Sequence, residues 1–208
     1  MDLQTANWPS AIESVEMKYL GLVALIFCGV AYAQGPRIGL EYEAEKDNIS
    51  GMRNDAFTIK PGWEFSKDSP INLVELLIDN NQDAGIGNNG FRAKGTKLFV
   101  RIRHGGDFND SISYYLRGGV GRSKKNQRKF NYAYIEPGLK YKFNDKWEWV
   151  TAVREGDSID GTNGQRVRKF LIGPSLSVDR KNEFEVRYIK GYIDKDVGSW
   201  QIGYTHRF

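Results

Sequence analysis

Large apolar side chains recur at every second position along most of the chain, from about residue 37 to the last residue. In the closing stretch SWQIGYTHRF, Trp200, Ile202, Tyr204, His206 and Phe208 fall on one face of a strand. Gln201, Gly203, Thr205 and Arg207 fall on the other, as the two-residue repeat of a strand requires. Ten such runs can be marked, at about 37–46, 56–66, 71–79, 96–104, 111–121, 131–143, 147–155, 166–178, 183–190 and 200–208. Most span about 9–11 residues, the length of a tilted strand crossing a bilayer. No segment sustains a 3.6-residue period, so the pattern predicts an all-β chain.

The connections alternate in character. SKDSP, HGGDFND, FNDK and DRKN are short and polar. KDNISGMRND, NNQDAGIGNNGFRAKG, GRSKKNQRK, EGDSIDGTNGQ and KGYIDKDVG are mostly longer and richer in Gly and charge. Short turns at one end and long loops at the other are the signature of an outer-membrane barrel, whose strand number is even. The fold expected is therefore a closed antiparallel up-and-down transmembrane β-barrel of ten strands. Aromatic residues gather toward the short-turn end, at Trp63, Phe65, Tyr141, Phe143, Trp147, Trp149 and Phe208, as an interfacial girdle would. Periodicity alone also suits a soluble barrel with its apolar face inside. The segregated loops, the aromatic ends and the terminal Phe favour lipid outside.

Three strands share a form, TIKPGWEFSKDS, YIEPGLKYKFNDK and FLIGPSLSVDRKN, each with a Pro before its short turn. Pro61, Pro137 and Pro174 lie on the lipid-facing parity. Proline deletes a ladder hydrogen bond, so a local bulge is expected at each.

The one long apolar run lies at the start. MKYLGLVALIFCGVAYAQ has a basic end at Lys18, an apolar middle and an A-x-A site at Ala31–Ala33, which reads as a secretory signal peptide cut after Ala33. Residues 1–33 are thus expected to be leader and signal peptide, with translation starting at Met17, and residues 34–208 the barrel. The single cysteine, Cys28, lies within the leader and follows Phe27, which does not suit lipidation. Removing the leader takes one Lys and three acids from 30 basic and 26 acidic residues, raising the net charge from +4 to +6. Export makes nucleic acid an unsuitable partner for that charge. Outer-membrane lipid and lipopolysaccharide, or an anionic solute, suit it better, and the basic loop GRSKKNQRK is expected to face them.

On the inward parity the basic set is Lys60, Lys97, Arg101, Arg103, Arg117, Lys140, Arg154, Lys169, Arg187 and Arg207, and all but the last are taken as pore-lining. The inward acids include Glu41, Glu43, Glu64, Glu75, Glu136, Glu148 and Glu185. Arg101, Arg103 and Arg117 fall on neighbouring strands and are expected to have few acids beside them, a strip able to offer guanidinium forks to carboxylates. Inward glycines such as Gly119 and Gly138 leave room either for a channel or for close packing.

YAYIEPGLKYKFNDKWEW, with RIGLEYEA at the mature start and NEFEVRYIKG later, resembles the oligogalacturonate-specific porin family of the KdgM type. The resemblance is specific only over residues 132–149. It implies a small monomeric outer-membrane channel that admits acidic oligosaccharides, uronate oligomers among them, and it implies twelve strands where ten are counted here.

Catalysis is not expected. The two histidines, His104 and His206, take the lipid-facing parity at the short-turn end, and no serine sits in a G-x-S-x-G elbow. No cofactor or metal is implied, since Asp157 and Asp160 read as solvated loop acids. Phe208 resembles the terminal signal that barrel-assembly machinery reads. Two functions stay open: a channel for anionic solutes, and a sealed structural or adhesive barrel acting through its outer loops.

Overall fold

The computed structural model describes residues 33–47, 53–84, 92–125, 128–160, 166–192 and 197–208. The leader and signal-peptide assignment, Cys28 included, lies outside them, apart from Ala33. The described residues form ten strands: β1 (Ala33–Asp47), β2 (Arg53–Phe65), β3 (Leu73–Ala84), β4 (Arg92–Asp107), β5 (Ile112–Lys125), β6 (Arg128–Lys142), β7 (Trp147–Ser158), β8 (Val167–Ser177), β9 (Asn182–Gly191) and β10 (Val197–Arg207). Each pairs with its sequence neighbours, and β1 pairs antiparallel with β10, so the sheet closes into a barrel. The ten expected runs are the ten strands. The twelve implied by family likeness are not found among the described residues.

Closure is tight at the chain end. Ile38 faces His206, Tyr42 faces Ile202, and the Phe208 N–H donates to the Pro36 carbonyl at 3.1 Å. The terminal strand is thus a full member of the sheet, and its aromatic face needs a covering medium other than water.

The polarity of the wall identifies that medium. Outward-facing Trp200, Ile202, Leu139 and Phe208 are 52–67 % exposed, while inward-facing Glu136, Glu75 and Arg187 are 0–2 % exposed. Apolar residues outside and buried charge inside invert the arrangement of a soluble barrel. A continuous apolar belt of this size is unstable in water and suits hydrocarbon. The chain is a transmembrane β-barrel of the bacterial outer-membrane type. Rings pair along its short-turn rim, as in Tyr141–Phe143 at 5.1 Å, Phe184–Tyr204 at 5.0 Å and His206–Phe208 at 4.9 Å.

Several strands run three to five residues further toward the long loops than the apolar pattern reaches; β3 continues to Ala84 and β4 starts at Arg92. There both faces are polar, so alternation ceases while the backbone ladder continues. The expected bulges are absent. On either side of Pro61, Pro137 and Pro174 the register is unchanged, as in Ile135↔Glu155 and Gly138↔Ala152. Each proline instead interrupts the ladder toward the strand beyond its short turn, with no residue inserted. The missing N–H removes a bond without forcing an extra residue into the strand.

Three short turns share one device. The Oδ1 of Asn109, Asn144 or Asp179 accepts from the backbone N–H groups two and three residues on, at 2.7–3.0 Å. This Asx geometry replaces ladder bonds where the chain reverses. Hydrogen bonds from the Asn182 side chain, then from the Lys181 and Asn182 N–H groups, hold the Asp179 carboxyl below the usual aspartate range. The contribution of this turn is therefore full above the unfolded pKa and is lost as pH falls through the lower folded value. Asn144→Ala, which removes both turn bonds, is expected to cost about 0.5–1.5 kcal/mol in a urea titration of the folded barrel. No shift in the midpoint would show that the turn does not depend on them.

Candidate functional site in the barrel lumen

Strand alternation sends every expected basic residue inward, including Lys97, Arg154, Lys169 and Arg187, and joins to them Arg37, which had no place in the basic set. The continued parity Arg37–Gly39–Glu41–Glu43–Glu45 was the available signal for it. Glu45, Asp79 and Glu183 are further inward acids that the sequence reading omitted.

The expectation of few acids beside Arg101, Arg103 and Arg117 does not hold. Arg101 donates through Nε and Nη2 to Glu75 at 2.8 and 2.5 Å. Arg117 donates to Glu136 at 3.1 Å, and Arg103 stands 3.7 Å from Glu64. Glu75 and Glu136 sit directly opposite Arg101 and Arg117 on adjoining strands, and Glu64 lies level with Arg103 one strand further round, which alternation along single strands cannot disclose.

The pairs form connected groups. Toward the short-turn end, Glu64 is shared by Arg37 at 2.6 Å, Arg207 at 2.9 Å and the more distant Arg103, while Arg207 also reaches Glu183 at 2.6 Å. At mid-height Glu136 accepts from Arg117, from Arg154 at 2.6 Å and from the Tyr115 hydroxyl at 3.2 Å. Lys60 meets Glu41, and Arg187 meets Glu185. Nearer the long loops, Lys169 on β8 reaches across the lumen to Glu45 on β1 at 2.9 Å.

Between these charged groups, one patch of the inner face is apolar. Val150, Ala152, Leu171 and Ile189 on β7–β9 pack with Tyr115 into a buried cluster. Their strands carry apolar residues on both faces, which masks the inner set in the sequence. At Gly119 and Gly138 the choice left open for the inward glycines resolves as close packing, whereas Gly203 lines the deeper cavity described below. Tyr115 lies against Gly138, its directly opposed neighbour, and Tyr134 against Gly119, in each case where a Cβ would collide with the ring. Arg117 in turn covers the Tyr115 ring at 4.5 Å.

Among the described residues, space remains toward the short-turn end of the lumen. A vestibule of about 810 Å³ opens at the short-turn end. It shares Arg103, Lys140, Glu183 and Arg207 with a deeper cavity of about 120 Å³. That deeper cavity is lined by seven Lys or Arg side chains and only two acids, Glu183 and Glu185. Beyond it, Glu136, Arg187 and Gln201, all at most 2 % exposed, fill the middle of the barrel. The lumen is a funnel that narrows onto a cation-lined chamber.

No family model and no curated protein sequence matches this chain. Solved structures resemble it in fold. A KdgM porin in complex with disordered oligogalacturonate is 10% identical, with a TM-score of 0.42, over 82% of this chain and 99% of that one. A NanC porin is 8% identical, with a TM-score of 0.46, over 82% and 100%. The translocator domain of the autotransporter NalP from Neisseria meningitidis is 14% identical, with a TM-score of 0.49, over 96% and 98%.

Proposed function

We propose that this outer-membrane barrel is a channel for small anionic solutes, with carboxylate-bearing sugars such as uronate oligomers as the solute class. The observation that carries the proposal is the cation-lined chamber at the foot of the vestibule. Within it Arg103 is the least engaged guanidinium, since the Glu64 carboxylate 3.7 Å away is already held by Arg37 and Arg207. An entering carboxylate would complete the charge balance there and meet a planar fork suited to it. Rings of Lys and Arg select anions in this way. Passage beyond the chamber requires the Glu136 layer to part, so conduction should be slow and stepwise.

A second reading is favoured by the buried middle of the lumen: a sealed barrel that works through its outer loops. Recording in planar bilayers separates the two. The channel reading expects discrete steps with a reversal potential on the anion side. Arg103→Gln with Lys140→Gln should lower that preference several-fold while leaving a folded barrel. Reversing Arg101 or Arg117 is a poor test, because each new carboxylate would face Glu75 or Glu136. A folded barrel that gives no steps supports the sealed reading and rejects the channel.

A further inference from the structure

Outward-facing Lys and Arg on the described strands are confined to the long-loop end. The short-turn end carries rings instead. The densest group lies on the β5–β6 hairpin, where Arg122, Lys124 and Lys129 are all exposed on the lipid-facing parity. Lys124 is paired directly with Lys129, and Arg122 with Asn131. On the β4 side the partners are Thr96 for Lys124 and Leu98 for Arg122. None of these cross-strand neighbours is acidic. Like charges facing each other across a strand pair repel and destabilise the ladder, so the arrangement calls for an anion outside the protein. The nearby acids are occupied: on β7, Glu155 by the Tyr192 hydroxyl and Asp157 by Arg166 at 3.0 Å, and just beyond it Asp160 by the Asn131 N–H at 2.6 Å.

Depth narrows the choice of anion. Arg122 is level with Leu98 at the upper edge of the apolar belt, and Lys124 and Lys129 stand one alternation higher, roughly 7 Å along the strand. That is the level of headgroups, where hydrocarbon ends and charged groups of the lipid begin. A soluble anion has no reason to sit there, against a wall whose next residues face acyl chains.

We propose that Arg122, Lys124 and Lys129 form a binding site for the phosphate groups of a phosphorylated glycolipid in the outer leaflet. Its acyl chains lie along the apolar strip of Leu98, Val120 and Ala133 below. The two lysines and the arginine take the place of the divalent cations that otherwise bridge neighbouring phosphates, so one lipid is held beside the barrel. Charge-assisted bonds at the edge of a low-dielectric medium make such a contact stronger than the same pair in water. The site depends on the outer face alone and is independent of what the lumen carries.

Native mass spectrometry of the detergent-solubilised folded barrel with added lipid A bisphosphate tests it. The wild type should retain one lipid. Arg122→Glu with Lys124→Glu and Lys129→Glu should weaken retention at least tenfold, whereas Arg180→Glu with Lys181→Glu, in the β8–β9 turn at the other end, should not. If the triple variant fails to fold, the milder pair Lys124→Gln with Lys129→Gln gives the same reading with a smaller loss. Retention within twofold of wild type in the charge-altered barrel overturns the proposal. So does equal binding of dephosphorylated lipid A, or complete displacement by millimolar inorganic phosphate.

Discussion

Replacing Glu136 with Ala is expected to destabilise the barrel by about 3–5 kcal/mol, enough to shift its urea midpoint far below that of wild type. The carboxylate is wholly excluded from solvent and serves Arg117, Arg154 and Tyr115 at once. Its removal leaves the mostly buried guanidinium groups of Arg117 and Arg154 without the carboxylate that both of them bind. Losing one partner of a buried pair costs far more than the pair itself contributes, because the remaining ion keeps its desolvation penalty. Glu136→Gln, which preserves the shape, should fall between wild type and the Ala variant. Arg117→Met added to Glu136→Leu should recover part of the loss, since it removes an orphaned charge. If Glu136→Ala loses less than about 1 kcal/mol, water reaches this layer and the lumen is not filled in solution.

The second large effect is expected on the outer wall. Leu116 lies centrally among the outward residues of β5, between Ile112 and Val120, and is paired with Pro137. Leu116→Arg should cost about 2–4 kcal/mol, because a guanidinium at mid-bilayer depth must leave water or drag it inward. The same change at Asn80, an exposed position near the long-loop end of β3, should cost about 0–1 kcal/mol. Folding into lipid vesicles, followed by urea titration, reads both. Equal costs at the two depths would mean that this face does not meet hydrocarbon. Both variants leave the lumen untouched, so the result bears on orientation and not on transport.

These two positions illustrate what can be read from one dimension. Leu116 declared its face because strand alternation is local: a residue and its second neighbour share a side whatever the strand pairs with. Glu136 also declared its face, but not its importance. Its partners come from β5 and β7, and their heights match only after the hairpins have set the register. The contact of Lys169 with Glu45 joins strands more than a hundred residues apart in sequence. The expectation of an arginine strip with few acids beside it arose from reading strands singly. Prolines misled for a related reason: the sequence announces the missing N–H, but whether the backbone bulges depends on the strands on both sides.

The ten runs, the side that each residue shares with its second neighbours and the end that bears the short turns were set by the amino-acid order, because each follows from a two-residue period and short-range turn chemistry; that the apolar side meets lipid rested on the segregated loops, the aromatic ends and the terminal Phe, and the polarity of the folded wall agrees. Tertiary structure alone decided that the interior is nearly charge-matched, that an apolar cluster sits among those charges, and that free space narrows to a chamber bounded by Arg103 and its neighbours. Those outcomes depend on which side chains share a height around a closed ring. That height is fixed by the stagger of all ten strands together, which no single stretch of sequence contains.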